Sequence, residues 1–131
     1  MRKKIIISIS VFVFLVLLIV NFSTVIIISN ENVTARYVYG DKNITTELSD
    51  EDAKIVTKIL NGKHVSVFDL PACGFDENVA VIINGRCFCI ACDECGTVYY
   101  KERNGYISLN DNENEQIRNV LSKYGFEWLC Y

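Results

Sequence analysis

The stretch VAVIINGRCFCI, residues 79–90, decides the fold because it has the pattern of a β-hairpin. Two apolar runs flank Asn84-Gly85, and both central residues of a type I′ turn need a positive φ, which these residue types tolerate. A two-residue turn of this kind pairs Ile83 with Arg86. We therefore predict two antiparallel strands in this register.

Further β-hairpins are predicted on both sides of the first. Each consists of two short runs rich in β-branched and aromatic residues, and a turn containing glycine separates the two runs. The runs are residues 34–39 with 44–48, and residues 97–101 with 106–109.

Two amphipathic helices are predicted from their N-terminal caps. Ser49 and Asn110 are each followed three residues later by an acid, which resembles a capping box. Apolar residues then recur at helical spacing, and Gly62 and Gly125 mark the ends. Together, these elements predict a small α+β domain with one antiparallel sheet of about four to six strands and two packed helices.

The two capped helices also raise the question of an internal repeat. Residues 48–50 resemble residues 109–111, and a predicted hairpin precedes both segments. Two explanations stay open, because a true repeat and the general similarity of any two capped amphipathic helices would both produce this match.

The N-terminal part of the chain has a different character. Residues 5–28 form an apolar run without a charged residue, and about 20 helical residues suffice to cross a bilayer. We therefore predict a transmembrane signal-anchor helix over 5–28, a basic cytoplasmic N-terminus over 1–4, and an exported α+β domain over 29–131. Lys and Arg resist translocation, so Arg2, Lys3 and Lys4 predict a single-pass cell-membrane protein with its C-terminal domain outside.

A cleaved signal peptide is the main alternative to the anchor. Signal peptides also begin with basic residues, but their apolar region is typically about 7–15 residues long and ends at a small-residue cleavage site. Here the apolar run is longer, and no A-x-A-like site follows it. Removal of the N-terminal segment nevertheless stays open.

Composition and charge exclude other classes of protein. The chain has 131 residues, 50% of them hydrophobic, which suits one globular domain and argues against a disordered chain. The formal net charge is −3, whereas a nucleic-acid-binding protein usually carries a basic patch, so we expect no nucleic-acid partner. The part after residue 28 is more acidic still, and we expect it to stand off an anionic lipid surface.

All six cysteines follow the predicted anchor, which favours a disulfide framework in an oxidising compartment. Extending the hairpin register beyond the strands brings Cys73 close to Cys95, and this is the favoured disulfide pair. Cys130 follows the last helix and is predicted to bond Cys92, with Cys87 and Cys89 as other candidate partners. These last two residues point to the same face of one strand, where they are poorly placed to bond each other.

Two alternative uses of the cysteines are a metal site and redox catalysis. Cys92-x-x-Cys95 followed by glycine resembles a zinc knuckle, and Cys87 and Cys89 could supply further ligands for zinc. The same motif could perform thiol–disulfide exchange. The acidic residues between its cysteines, however, disfavour the reactive thiolate.

No constellation of residues predicts catalysis. His64 is the one histidine of the sequence, and the acidic clusters lie at predicted helix starts, where the helix dipole explains them. The aromatic end of the chain offers Trp128 and Tyr131 as a binding surface, unless it covers the core. We therefore expect a membrane-anchored, disulfide-stabilised binding or accessory module without cofactor or enzymatic activity, which contacts an unknown protein or cell-surface partner.

Overall fold

The computed structural model describes residues 1–28, 32–93 and 95–128. The secondary-structure elements follow in chain order. They are α1 (Arg2–Ser23), β1 (Val33–Tyr39), β2 (Lys42–Glu47), α2 (Asp50–Leu60), β3 (Val79–Ile83), β4 (Arg86–Ile90), β5 (Thr97–Tyr100), a 3₁₀ turn (Lys101–Arg103), β6 (Gly105–Ser108) and α3 (Asp111–Ser122).

The strands of the described residues form one six-stranded antiparallel sheet in the order β2-β1-β3-β4-β5-β6. The core contains the apolar face of this sheet together with the apolar stripes of α2 and α3. Its largest fully buried side chains include Phe88, Leu60, Ile83, Ile107, Ile117 and Leu121. The predicted α+β fold with one antiparallel sheet and two amphipathic helices is therefore confirmed.

The central hairpin has the predicted register. Ile83 pairs with Arg86 across the turn, and Asn84 and Gly85 have φ values of 47° and 74°. The pairing of β3 with β4 ends at Ala80 and Cys89, so the chain leaves the ladder on both sides before it reaches Cys73 and Cys95.

The predicted helix caps are present. The Ser49 hydroxyl accepts a hydrogen bond from the Asp52 backbone N–H at 3.3 Å. At α3, the Asn110 side chain accepts from the Glu113 N–H, and the Glu113 carboxylate accepts from the Asn110 N–H, which completes a capping box.

The N-terminal apolar run divides into two parts rather than forming one helix over 5–28. Helix α1 ends at Ser23, and the chain continues in an extended conformation with Val25 and Ile27 buried in the core. Backbone hydrogen bonds to residues 62 and 63 replace the helical ones here, because the Val25 N–H donates to the Lys63 carbonyl at 2.9 Å and the Val25 carbonyl accepts from Gly62 at 2.8 Å. Across the described parts of the chain, no helix has both the length and the apolar character that crossing a membrane requires.

The second face of the sheet points away from α2 and α3. It carries Cys87 and Cys89 of β4, Tyr99 of β5 and Tyr106 of β6, and the loop that contains Phe75 packs against it. We call this surface the open face.

Candidate functional site

A disulfide joins Cys73 and Cys95, the pair that the hairpin register favours. Cys73 lies in the loop before β3 and Cys95 in the loop after β4, so neither residue belongs to the paired strands. The strand register brings the two loops to the same end of the hairpin, and the path of the loops then brings the two cysteines together. The bridge closes a sequence separation of 22 residues. It ties the loop before β3 to the loop before β5.

Cys87 and Cys89 form a buried thiol pair on the open face. Their Sγ atoms are 3.8 Å apart, which is a hydrogen-bonding and not a bonding distance. Burial raises the pKa of Cys87 and raises that of Cys89 to about 12. Both thiols are therefore protonated at neutral pH, which makes them poor nucleophiles. The Cys87 N–H, near the start of β4, donates to the Glu102 carboxylate at 2.9 Å.

The four cysteines of the alternative zinc site are not brought together as a ligand set. Within the described residues, the ligand-type atoms that lie within 4.8 Å of one another belong to Cys73, Asp93 and Cys95. Two of these three residues form the disulfide, which consumes the thiolates that zinc prefers.

The Cys73–Cys95 disulfide also argues against the redox alternative. Cys95 bonds Cys73 and not Cys92, so Cys92-x-x-Cys95 is not an internal redox pair in this structure. The residues after Cys95 enter strand β5, whereas a reactive thiolate is usually stabilised by a helix N-terminus or a nearby cation.

The second predicted disulfide, Cys92–Cys130, cannot be compared with the structure because Cys130 lies outside the described residues. Cys92 is half-buried and packs against the core. Tyr131, one of the two residues of the predicted binding surface, also lies outside the described residues, so both predictions stay predictions.

Trp128, the other residue of that surface, lies against the flank of α3. Its indole N–H donates to the Ser122 hydroxyl at 2.8 Å, and the Arg118 guanidinium lies 4.5 Å from the ring centroid. Arg118 itself donates to the Asp93 carbonyl at 2.8 Å. The half-buried indole is thus held in place from two sides. It also packs against the core, with its ring centroid 5.8 Å from that of Phe126, so Trp128 partly covers the core, which is the alternative that the sequence left open.

A groove of about 330 Å³ runs along this flank. Besides Trp128, Arg118 and Ser122, it is lined by the polar side chains of Asp111, Asn114, Glu115 and Asn119. We call this surface the α3 flank. An aromatic side chain within a rim of polar groups is a common arrangement in protein interfaces.

A second groove of about 290 Å³ lies on the open face. Phe75, Tyr99 and Tyr106 surround it with ring centroids 5.3–5.9 Å apart, and Glu77 and Cys89 complete its lining. No sequence signal marks Phe75 as part of a site, because its place in a loop gives no periodic pattern. Strand alternation could have indicated that Tyr99 faces away from Val98 and the core.

The acidic residues at the helix starts lie in the first turns of α2 and α3, where they interact favourably with the helix dipole. Asp52 also makes contacts with residues that are distant in the sequence. Asp52 is buried, and its carboxylate accepts hydrogen bonds from the Lys123 ammonium at 2.7 Å and the Tyr124 hydroxyl at 2.8 Å. The Lys123 contact is the main cause that lowers the pKa of Asp52. His64 is exposed and pairs through its backbone with Thr24.

No protein-family model, curated protein or solved structure matches this chain.

Proposed function

We propose that the protein is a membrane-anchored, extracytoplasmic, disulfide-stabilised binding module of which α1 is the anchor. The observation that carries this proposal is the exposure of the apolar side chains of α1. Ile5, Ile6 and Ile7 are 54%, 65% and 62% exposed, although successive helical residues point about 100° apart. Apolar residues therefore face outward on every side of the helix. Exposing these side chains to water is unfavourable, whereas exposing them to lipid is not.

The described part of α1 does not by itself qualify as a full membrane span, so the proposed anchor places its ends in the headgroup regions. Residues 5–23 of the helix carry no charge and extend about 28 Å, close to the roughly 30 Å thickness of a hydrocarbon core. Arg2, Lys3 and Lys4 form the first turn, and their long side chains can reach the interface. Their position favours a cytoplasmic N-terminus.

The disulfide supports the same orientation. Cys73 and Cys95 are bonded, and structural disulfides persist in oxidising compartments but are rare in a reducing cytoplasm. An exported domain beyond α1 places this bridge on the oxidising side of the membrane.

The anchor is tested by extraction of membranes with alkaline carbonate and by protease added to intact cells. We expect the full chain to stay in the membrane pellet and its domain to be digested from outside. A double variant, Phe12→Lys with Val16→Lys, should be released from the membrane because each buried lysine costs about 3 kcal/mol in the membrane centre. The matched control, Phe12→Leu with Val16→Leu, should stay anchored.

Three results would contradict the proposal. The wild-type chain could be released by carbonate, or its domain could be digested only after the membrane is permeabilised. Detection of a mature form that lacks the first ~30 residues would instead establish a cleaved signal peptide.

For the binding activity, we propose the α3 flank as the contact surface. Trp residues dominate binding hot spots, and Trp128 is held in place beside an open groove. A photo-crosslinking amino acid that replaces the exposed Asn119 should form a covalent adduct with the partner when membranes that contain the protein are irradiated. The same amino acid in place of the exposed Thr45 of β2 should form no adduct. Equal labelling from both positions, or labelling from Thr45 alone, would contradict this assignment.

A further inference from the structure

The domain is hydrogen-bonded directly to the end of α1. The Val65 N–H donates to the Ser23 carbonyl at 2.6 Å, beside the hydrogen bonds that connect Val25 to residues 62 and 63. On its other side, Ser66 exchanges backbone hydrogen bonds of 2.8 and 2.9 Å with Tyr106 of β6. Residues 63–66 therefore lie between the end of the anchor and the edge of the sheet.

The chain that follows carries the most exposed large apolar side chains among the described residues after α1. We call residues 67–70 the base loop. Phe68 and Leu70 are 92% and 89% exposed, and Val67 is 53% exposed. Because Val65 is hydrogen-bonded to Ser23, these side chains lie a few residues from the point where α1 ends.

Exposed apolar side chains concentrate at this end of the domain. After α1, the large apolar residues that the structure describes as exposed are Ile26, Ile28, Tyr39, Val67, Phe68 and Leu70. All of these except Tyr39 lie either just after α1 or in the base loop. Exposed apolar side chains are therefore concentrated near the end of α1, and such a concentration is expected where a protein contacts lipid.

The charges around this surface suit the headgroup region. The Arg86 guanidinium donates to the Ile26 carbonyl at 2.6 Å, and that of Arg103 donates to the Thr24 carbonyl at 3.2 Å. Both cations are thus positioned where the chain leaves α1. Asp69 is exposed between Phe68 and Leu70, so insertion must be shallow enough to keep its carboxylate hydrated.

We propose that the base loop inserts Phe68 and Leu70 into the lipid leaflet at which α1 ends. This inference rests on the proposed anchoring by α1. The anchor and the base loop then form two contacts with the bilayer, and two contacts hold the domain in one orientation. The proposal differs from the expectation that the acidic domain stands off the membrane, because it places apolar side chains at the lipid at this end.

The test uses the full chain in phosphatidylcholine vesicles, with Trp128→Phe as the background so that one tryptophan can be placed at will. Phe68→Trp places a fluorophore in the base loop, and a residue that is 92% exposed tolerates the change without repacking the core. Tyr39→Trp is the matched control, because Tyr39 is also exposed but lies at the end of β1 opposite Val33. Val33, not Tyr39, marks the end of β1 that lies near α1. Val33 pairs with Ile83, Ile83 pairs with Arg86, and the Arg86 side chain contacts Ile26 just after α1.

Vesicles made with lipids brominated on their acyl chains should quench the tryptophan at position 68 by on the order of twofold, since interfacial groups lie ~5–10 Å deep. The tryptophan at position 39 should keep its emission. Flotation of the same vesicles measures anchoring separately. Co-flotation without quenching at position 68 overturns the base-loop inference and leaves the anchor standing.

Equal quenching at both positions also overturns the inference, because the domain would then lie on the lipid without one orientation. A chain that does not float with the vesicles overturns the anchor and the base-loop insertion together.

Discussion

Replacing Asp52 tests the contact that joins the two helices of the domain. Its carboxylate lies in the first turn of α2 and accepts hydrogen bonds from Lys123 and Tyr124, just beyond the end of α3. The Tyr124 hydroxyl in turn accepts a hydrogen bond from the Ser49 N–H at 2.9 Å. Asp52→Ala removes both acceptor oxygens and leaves the Tyr124 hydroxyl without its acceptor.

The expected loss follows from the burial of the carboxylate. Asp52 is 6% exposed, and a partly buried hydrogen bond to a charged group contributes about 1.5–3 kcal/mol to the free energy of unfolding. The side chain of Lys123 is 60% exposed, so solvent screens the ion pair and most of the loss comes from the Tyr124 contact. We expect Asp52→Ala to cost about 2 kcal/mol, or roughly 8–16 °C in melting temperature for a domain of this size.

The pH dependence has a defined sign. The hydrogen bond from Lys123 and then that from Tyr124 lower the pKa of Asp52 in the folded state. The contribution to stability is therefore present above the unfolded pKa of about 4 and is lost as the pH falls through the lower, folded pKa. Asp52→Asn keeps an acceptor for Tyr124 but cannot titrate. The difference in the free energy of unfolding between this variant and the wild type should therefore shrink on acidification.

The assay is thermal unfolding of the full chain in detergent micelles, monitored by circular dichroism. Asp50→Ala is the matched control because Asp50 is exposed in the same first turn of α2 and shares the interaction with the helix dipole. Surface substitutions usually change the free energy of unfolding by no more than about 0.5 kcal/mol. If the free energies of unfolding of Asp52→Ala and Asp50→Ala differ by less than this amount, then the Tyr124 contact does not stabilise the domain.

Three other predictions concern the cysteines and the packing of β6. Reduction of the Cys73–Cys95 bridge should lower the free energy of unfolding by about 3 kcal/mol, measured as a shift in melting temperature, because the bridge restricts a long loop in the unfolded chain. Cys87 and Cys89 should resist alkylation at pH 8 in the folded protein and react fully in denaturant, since burial raises their pKa values; peptide mapping by mass spectrometry measures this. Gly105→Ala should destabilise the domain by about 1–3 kcal/mol in denaturant titration, because a Cβ there would lie 2.5 Å from a valine methyl group.

Each of these predictions has a result that contradicts it. An unchanged melting curve after complete reduction would show that the disulfide does not limit unfolding. Rapid alkylation of Cys89 without denaturant would mean that the open face exposes its thiol. For the glycine, Gly74→Ala is the control because nothing lies within 4 Å of the position that its new methyl group would take; equal effects of the two alanines would remove the steric explanation.

Local rules determine several features of this protein from the sequence alone. Asn84-Gly85 specifies the turn between β3 and β4, because the positive φ values that the turn needs are available to few residue types. The cap of α3 is equally local, since Asn110 and Glu113 satisfy each other's backbone N–H groups within one turn. The register of the hairpin also indicates which loops approach each other, and this is why the Cys73–Cys95 pair could be predicted.

The tertiary structure decides what depends on partners distant in the chain. The apolar run over 5–28 has no internal signal for a boundary, and α1 ends at Ser23 because Val25 and Ile27 fill the core beside residues 62 and 63. Asp52 looks like any acid at a helix start until Tyr124 is placed beside it. Turns and caps are encoded within about four residues, whereas the end of a continuous apolar segment depends on which surfaces the folded domain leaves for it to cover.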